Sequence, residues 1–164
     1  MQASLIVDEL RKHGVTHVVG VPDNGARTLF ETLWAADDIE VIGVTREGEA
    51  YAVASGLYVG GSTPVVIIQN TGFLETGDAF RGTAYNMGLP IVMLMGYRGH
   101  QTLVPGAERI DTAASFFEPT LKAWDIPYTL MQQDDEVSDQ IAGAFRAASE
   151  RSLPAAVLLI GTTT

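Results

Sequence analysis

The sequence predicts an α/β protein: a single doubly wound domain, spanning residues 1–164, with a mostly parallel sheet covered by helices on both faces. Three observations predict it. Apolar runs such as Val65-Val66-Ile67-Ile68 and Ile91-Val92-Met93-Leu94-Met95 proceed without polar alternation, as strands buried on both faces do. Segments with apolar residues at helical spacing lie between these runs, and alternating helices and strands require parallel connections. The length, 164 residues, suits one domain, and no repeat, low-complexity tract or internal linker divides it.

Each element follows from local chemistry. Ala3 to His13 places Leu5, Ile6 and Leu10 near one helical face, with Gly14 as a stop just beyond. Thr16 to Val21 reads as a buried strand, and Pro22-Asp23-Asn24-Gly25 as a turn. A helix from about Ala26 to Ala36 carries Leu29, Phe30 and Leu33 inward. The strand Glu40 to Val44 leads into a sharp charged turn, and a helix of mostly small residues runs from about Glu47 to Gly60-Gly61. Pro64 to Gln69 is the most strand-like run. Asn70-Thr71-Gly72 marks a turn, and the next helix spaces Phe73, Gly77, Phe80 and Ala84 along one side.

Pro90 to Met95 is another buried strand, ending in the polar, glycine-rich exit Gly96-Tyr97-Arg98-Gly99-His100. From Gln101 to about Arg109 the pattern lapses, which marks a mobile loop. Asp111 to Trp124 is helical with an interruption at Pro119, and Ile126 to Leu130 is a short strand. Asp134-Asp135-Glu136 places negative charge at the start of the last helix, where the macrodipole favours it. That helix turns Val137, Ile141, Phe145 and Ala148 inward. Ala155 to Ile160 closes the sheet, and Gly161 to Thr164 is expected to fray.

Composition removes several function classes. Cysteine is absent, which excludes disulfides, thiolate catalysis and cysteine-ligated metal. The formal charge of −10 argues against a nucleic-acid binder. No apolar run approaches the ~18–20 residues of a membrane span, so no membrane association is expected. The N-terminus lacks the layout of a signal peptide, and a cytoplasmic protein is the simplest expectation. There is no G-x-G-x-x-G or Walker loop for a nucleotide and no G-x-S-x-G nucleophile elbow. The histidines, His13, His17 and His100, form no zinc-binding pair, so no metal ligands are assigned.

What remains is the turn Thr45-Arg46-Glu47-Gly48-Glu49. In open α/β sheets ligand chemistry gathers beyond the carboxyl ends of strands, and Glu47 holds that position. A first-turn glutamate also compensates helix-end donors, and Glu49 invites the same reading; nothing local separates the two. The small residues Ala50 to Gly56 let another element come close, whether a second chain or this chain's own sheet.

Thr45-Arg46-Glu47-Gly48-Glu49-Ala50 with Ala54-Ser55-Gly56-Leu57-Tyr58 resembles the segment around the functional glutamate of the pyrimidine-binding (PYR) domains of thiamine-diphosphate enzymes. Three further stretches fit in register: Gly20-Val21-Pro22-Asp23, Gln69-Asn70-Thr71-Gly72, and Leu89-Pro90 through Gly96-Tyr97-Arg98-Gly99. The resemblance is to the sulfopyruvate and phosphonopyruvate decarboxylase group, through most of residues 1–100 and more loosely beyond. It implies a thiamine-diphosphate-dependent decarboxylase of a small anionic 2-keto acid, releasing CO2 and an aldehyde, with Glu47 as its catalytic carboxylate. Glu47 would hydrogen-bond N1′ of the aminopyrimidine and favour the imino tautomer that deprotonates thiazolium C2. A carboxyl in a dry interface, its pKa raised, would suit that exchange.

The resemblance also implies residues and partners. Gln69, Asn70 and Thr71 match the family's cofactor side, with plain capping of the next helix as the alternative. Asp23 and Asn24 could face the substrate. Arg98 and His100 could bind a sulfonate or phosphonate, whose oxygens suit a guanidinium. The family holds the diphosphate through Mg²⁺ on a second domain, with a Gly-Asp-Gly motif and an Asn some 25–30 residues later. Gly77-Asp78-Ala79 is not that motif, and Asn86 is too close to it. The resemblance therefore places Mg²⁺ on a separate PP-domain β subunit, in a hetero-oligomer. The alternatives are a non-catalytic PYR-like assembly or regulatory subunit and a flavodoxin-like small-ligand binder.

Overall fold

The apolar runs assemble into one six-stranded sheet, parallel throughout, in the computed structural model, which describes residues 1–164. In chain order the elements are α1 (Ala3–Lys12), β1 (His17–Gly20), α2 (Arg27–Trp34), β2 (Glu40–Gly43), α3 (Glu47–Val59), β3 (Pro64–Gln69), α4 (Asn70–Phe80), β4 (Val92–Gly96), α5 (Thr112–Ala123), β5 (Tyr128–Met131), α6 (Val137–Arg151) and β6 (Ala155–Leu159). The strands lie in the order β2-β1-β3-β4-β6-β5. After β2 the chain crosses back to the other side of β1, so the winding reverses between β1 and β3. Parallel sheets open a ligand crevice at the carboxyl ends of the strands flanking such a reversal.

Alternate residues of the central strands serve opposite faces. Val65, Ile67, Val92, Leu94 and Val157 pack against α1, α2 and α6, with Ile6, Leu10, Leu29, Phe30 and Ile141. Val66, Ile68, Met93, Met95 and Leu158 pack against α3, α4 and α5, with Tyr51, Phe73, Phe80 and Phe117. Neither face is left to water, which is why these strands carry no polar alternation. At Gly20 β1 comes so close to β3 that a Cβ would lie 1.9 Å from the Ile67 carbonyl oxygen. Only glycine fits there.

Several expectations need correction. Asn70-Thr71-Gly72 is not a turn before α4; these residues are its first turn, entered directly from β3. The helical spacing from Phe73 to Ala84 spans a kink, because Gly77 is non-helical (φ 3°, ψ −76°) and residues 81–85 form a π-helical turn. Helix α5 continues through Pro119 instead of stopping there. Phe116 is 61% exposed, whereas its neighbour Phe117 is fully buried.

The C-terminus does not fray. Thr163 is buried, its N–H donates to the Gly25 carbonyl at 2.9 Å, and its hydroxyl accepts from Leu29 N at 3.2 Å. Thr164 N donates to the Met1 carbonyl and Ala3 N to the Thr164 carbonyl, each at 2.9 Å. Helix α2 receives no side-chain cap from its own preceding residue, Ala26. A helix start leaves N–H groups without partners, and Thr163 satisfies one of them from the far end of the chain.

Candidate functional site

The two glutamates at the start of α3 differ in what they do. Glu49 Oε2 accepts from Thr45 N at 3.0 Å, the Thr45 hydroxyl at 2.9 Å and Arg46 N at 3.2 Å. These hydrogen bonds hold its carboxyl below the usual range and make it the structural cap of the helix. Glu47 is half-buried, and no donor of this chain hydrogen-bonds its carboxylate. Its side chain lies over the first turn of α4: a Cβ on Gly72 would sit 2.2 Å from Glu47 Cγ and 2.3 Å from Cδ and Oε1. One turn further along α3, Tyr51 is fully buried with its hydroxyl donating to Met93 Sδ. Burial, and then the Glu47 charge, push the Tyr51 phenol well up.

The start of α4 is built from the strand-end residues. The Thr71 hydroxyl donates to Gln69 Oε1 at 2.9 Å. Asn70 is completely buried; its Oδ1 accepts from Thr71 N at 3.0 Å and its Nδ2 donates to the Arg98 carbonyl at 2.9 Å. Asn70 therefore ties the β3–α4 corner to the β4 exit, and Gln69 and Thr71 remain half-exposed beside it.

At the same edge of the sheet, an open cleft of about 860 Å³ gathers Asp23, Asn24, Gln69 and Arg98, together with Gly96, Tyr97, Gly161 and Thr162. Glu47, Asn70, Thr71 and His100 are not among its lining residues. Asp23 Oδ1 accepts from Gly25 N at 2.5 Å and Ala26 N at 3.3 Å, while Oδ2 is buried without a partner. A buried carboxylate oxygen without a donor is costly, and this one faces Gly96 at the cleft. Asn24 is exposed and accepts from Arg27. Arg98 is 62% exposed and lies 3.5 Å from Asp111, a pairing too solvated to immobilise it. The His100 ring packs edge-on against Tyr97 at 4.8 Å.

Tyr97, Gly72 and the chain's C-terminal residues were given no site role by the sequence. Tyr97 donates to Glu118 Oε1 at 3.0 Å and Tyr128 to Oε2 at 2.5 Å, so the cleft wall is anchored on α5 and β5. Burial, then the Glu118 hydrogen bond, push both phenols up. A tyrosine directly after an apolar strand was the available signal for the first. Gly72 and the C-terminal residues act through contacts distant in sequence. No group of three or more His, Cys, Asp or Glu side chains that could hold a metal ion occurs in the chain. No helix is long and apolar enough to cross a membrane.

Residues 2–115 match the family described as thiamine pyrophosphate enzyme, N-terminal TPP binding domain. The chain is similar to the protein named sulfopyruvate decarboxylase subunit alpha of Methanococcus maripaludis, at 29% identity over 149 residues covering 89% of this chain and 86% of that one. The protein of the same name from Methanothermobacter thermautotrophicus is 26% identical over 153 residues, 92% of this chain and 90% of the other. Phosphonopyruvate decarboxylase of Streptomyces viridochromogenes is 27% identical over 161 residues, which are 96% of this chain and 40% of that longer protein.

Proposed function

The chain belongs to the family of thiamine pyrophosphate enzyme N-terminal TPP binding domains, and we propose that it is the α subunit of a thiamine-diphosphate-dependent decarboxylase acting on sulfopyruvate, phosphonopyruvate or a similar anionic 2-keto acid. One observation carries the proposal. Of the two acids at the start of α3, Glu49 is consumed by capping, and Glu47 is left half-buried without an internal donor at the carboxyl edge of the sheet. That is the state of a carboxylate whose partner comes from outside the chain, and it fits the aminopyrimidine of thiamine diphosphate.

Bound there, thiamine diphosphate supplies a carbon nucleophile and an electron sink for the pair left by departing CO2. Glu47 holds a proton between its carboxylate and the pyrimidine N1′. Gln69 and Thr71, tied to each other, offer amide and hydroxyl groups to the same ligand, and the buried Asn70 orients them from behind. Asp23 and Asn24 border the substrate in the cleft. Arg98, free enough to turn, meets its anionic tail, with His100 on the same exit loop. The substrate loses its C1–C2 bond, CO2 leaves, and a proton takes its place to give the aldehyde.

Mg²⁺ and the diphosphate belong to a PP-domain β subunit. Residues 1–164 contain no Gly-Asp-Gly motif. The names of the two relatives called alpha subunits support the partnership. In this proposal the assembly is a cytoplasmic hetero-oligomer.

The test purifies the chain from its own cells with whatever accompanies it, adds thiamine diphosphate and Mg²⁺, and follows CO2 and aldehyde from each keto acid. Turnover of one of them is expected, and Glu47→Ala should fold and assemble while losing roughly 10²–10⁴-fold in rate. Undiminished turnover in Glu47→Ala would end the proposed mechanism. A chain that assembles but neither binds the cofactor nor turns over would be a non-catalytic module.

A further inference from the structure

We infer that Gly72 is a positioning residue for Glu47: the side chain it lacks leaves the notch in which the glutamate lies, and this sets where the carboxylate reaches. The inference rests on the reading of Glu47 as the cofactor-facing carboxylate and adds the residue that aims it.

Glycine weakens a helix, so its place in the first turn of α4 needs a cause. Backbone conformation does not supply one, because Gly72 does not have a left-handed φ. Any L-residue could adopt that backbone. The obstruction is Glu47 alone among the nearest atoms, with Cγ, Cδ and Oε1 all 2.2–2.3 Å from where a Cβ would be. The two helices are also held together further along α4, beyond this contact. A Cβ on Gly48 would meet Ala79 Cβ at 3.2 Å, and Arg46 pairs with Glu75 across the gap. An added methyl at position 72 is therefore relieved by the flexible partner. Glu47 swings out of the notch while the helices stay in place, so the fold survives and the carboxylate is displaced.

The positioning is read first on the isolated chain, by nuclear Overhauser contacts between Glu47 Hγ and Gly72 Hα. They should be strong in the wild type. In Gly72→Ala, Glu47 Hγ should lose its other contacts to the first turn of α4 while circular dichroism stays unchanged. Absence of the wild-type contact, or an unmoved Glu47 in Gly72→Ala, overturns the inference whatever the assembly does.

The functional consequence is read in the native assembly as exchange of the thiamine diphosphate C2 proton for deuterium. Gly72→Ala should slow exchange roughly 100-fold, the scale of an ångström misplacement, with cofactor affinity changed less than about threefold because the diphosphate is held elsewhere. Glu47→Ala removes Cγ and every atom beyond it, and with them both the crowding at position 72 and the carboxylate. In the Glu47→Ala background, Gly72→Ala has no side chain left to displace and should therefore cost little further exchange, a non-additivity that general damage would not give. Full additivity, or normal exchange in Gly72→Ala, overturns the positioning role. A wild-type assembly that gives no exchange above free cofactor overturns the cofactor reading instead, and the contact measurement still decides the notch. Gly143→Ala, in α6 with only Arg146 within 4 Å, is the control and should leave exchange unchanged.

Discussion

Replacing Thr163 by valine removes one hydroxyl and keeps nearly the same volume. The hydroxyl accepts from Leu29 N at 3.2 Å and lies 3.2 Å from the Gly25 carbonyl, to which it donates. The backbone bond from Thr163 N to Gly25 O, at 2.9 Å, remains in the variant. What is lost is the cap on α2, and the Leu29 N–H is left buried without a partner. Such an orphaned donor costs ~1–3 kcal/mol, and loss of a helix cap ~0.5–2 kcal/mol. The overlap of these ranges, ~1–2 kcal/mol, lowers the melting temperature of a domain this size by roughly 2–8 °C. Thermal and urea unfolding measure the change, and amide exchange at Leu29 should accelerate selectively. Thr162→Val is the control: that side chain is exposed and only its carbonyl is engaged, by the N-terminal ammonium. If Thr163→Val is no less stable than Thr162→Val and Leu29 stays equally protected, long-range capping of α2 is wrong.

Three further outcomes follow from the packing. Gly20→Ala would drive a Cβ to 1.9 Å from the Ile67 carbonyl oxygen at the end of β1, where the strand is flanked by both β2 and β3; backbone must shift to relieve it, so it should cost about 3 kcal/mol and show as insoluble expression or a melting point lowered by several degrees. Gly56→Ala lies in α3 with open space around it and should stabilise the isolated chain by ~1 kcal/mol, whereas weakened assembly in the same variant would place this helix against the partner. Glu9 is buried between Lys12 Nζ at 2.8 Å and His13 Nε2 at 3.3 Å. Burial acts to raise its pKa, but the Lys12 hydrogen bond and charge, with Ser138 and His13, outweigh it and leave the value lowered. The stabilisation is therefore present above the unfolded value of about 4.3 and is lost as pH falls through the depressed folded value. Glu9→Gln should cost ~1 kcal/mol near pH 7, and the difference should vanish in titrations taken well below pH 4.

The candidate site was legible in part, and the division follows particular residues. Glu47 was found because it stands directly after a strand in a β–α turn. The sequence could not separate it from Glu49, although a signal was present: a glutamate three residues after the residue preceding a helix is the acid of a capping box. Asp23, Asn24, Gln69 and Arg98, polar residues at strand ends to which the family resemblance pointed, are brought by the sheet to one cleft. Asn70 belongs to the same run, but its burial and its bond to the Arg98 carbonyl give it a supporting position that strand-end spacing does not disclose. Gly72 was read as a turn residue, and the contact that accounts for it comes from a side chain 25 positions earlier.

The sequence by itself determined which segments are strands, which are helices, and that the sheet is buried on both faces. Those properties are written in the period of the apolar residues, which solvent and the backbone impose on each segment separately. It also determined that the carboxyl ends of the strands carry the polar chemistry. Only the tertiary structure decided the strand order β2-β1-β3-β4-β6-β5, the seating of Glu47 in the Gly72 notch and the clasp of Thr163 on α2. Each depends on which distant surfaces meet. A buried strand reads the same beside either neighbour, a glycine reads the same whether a turn or a facing carboxylate requires it, and a C-terminal threonine carries no mark of the N–H it will reach.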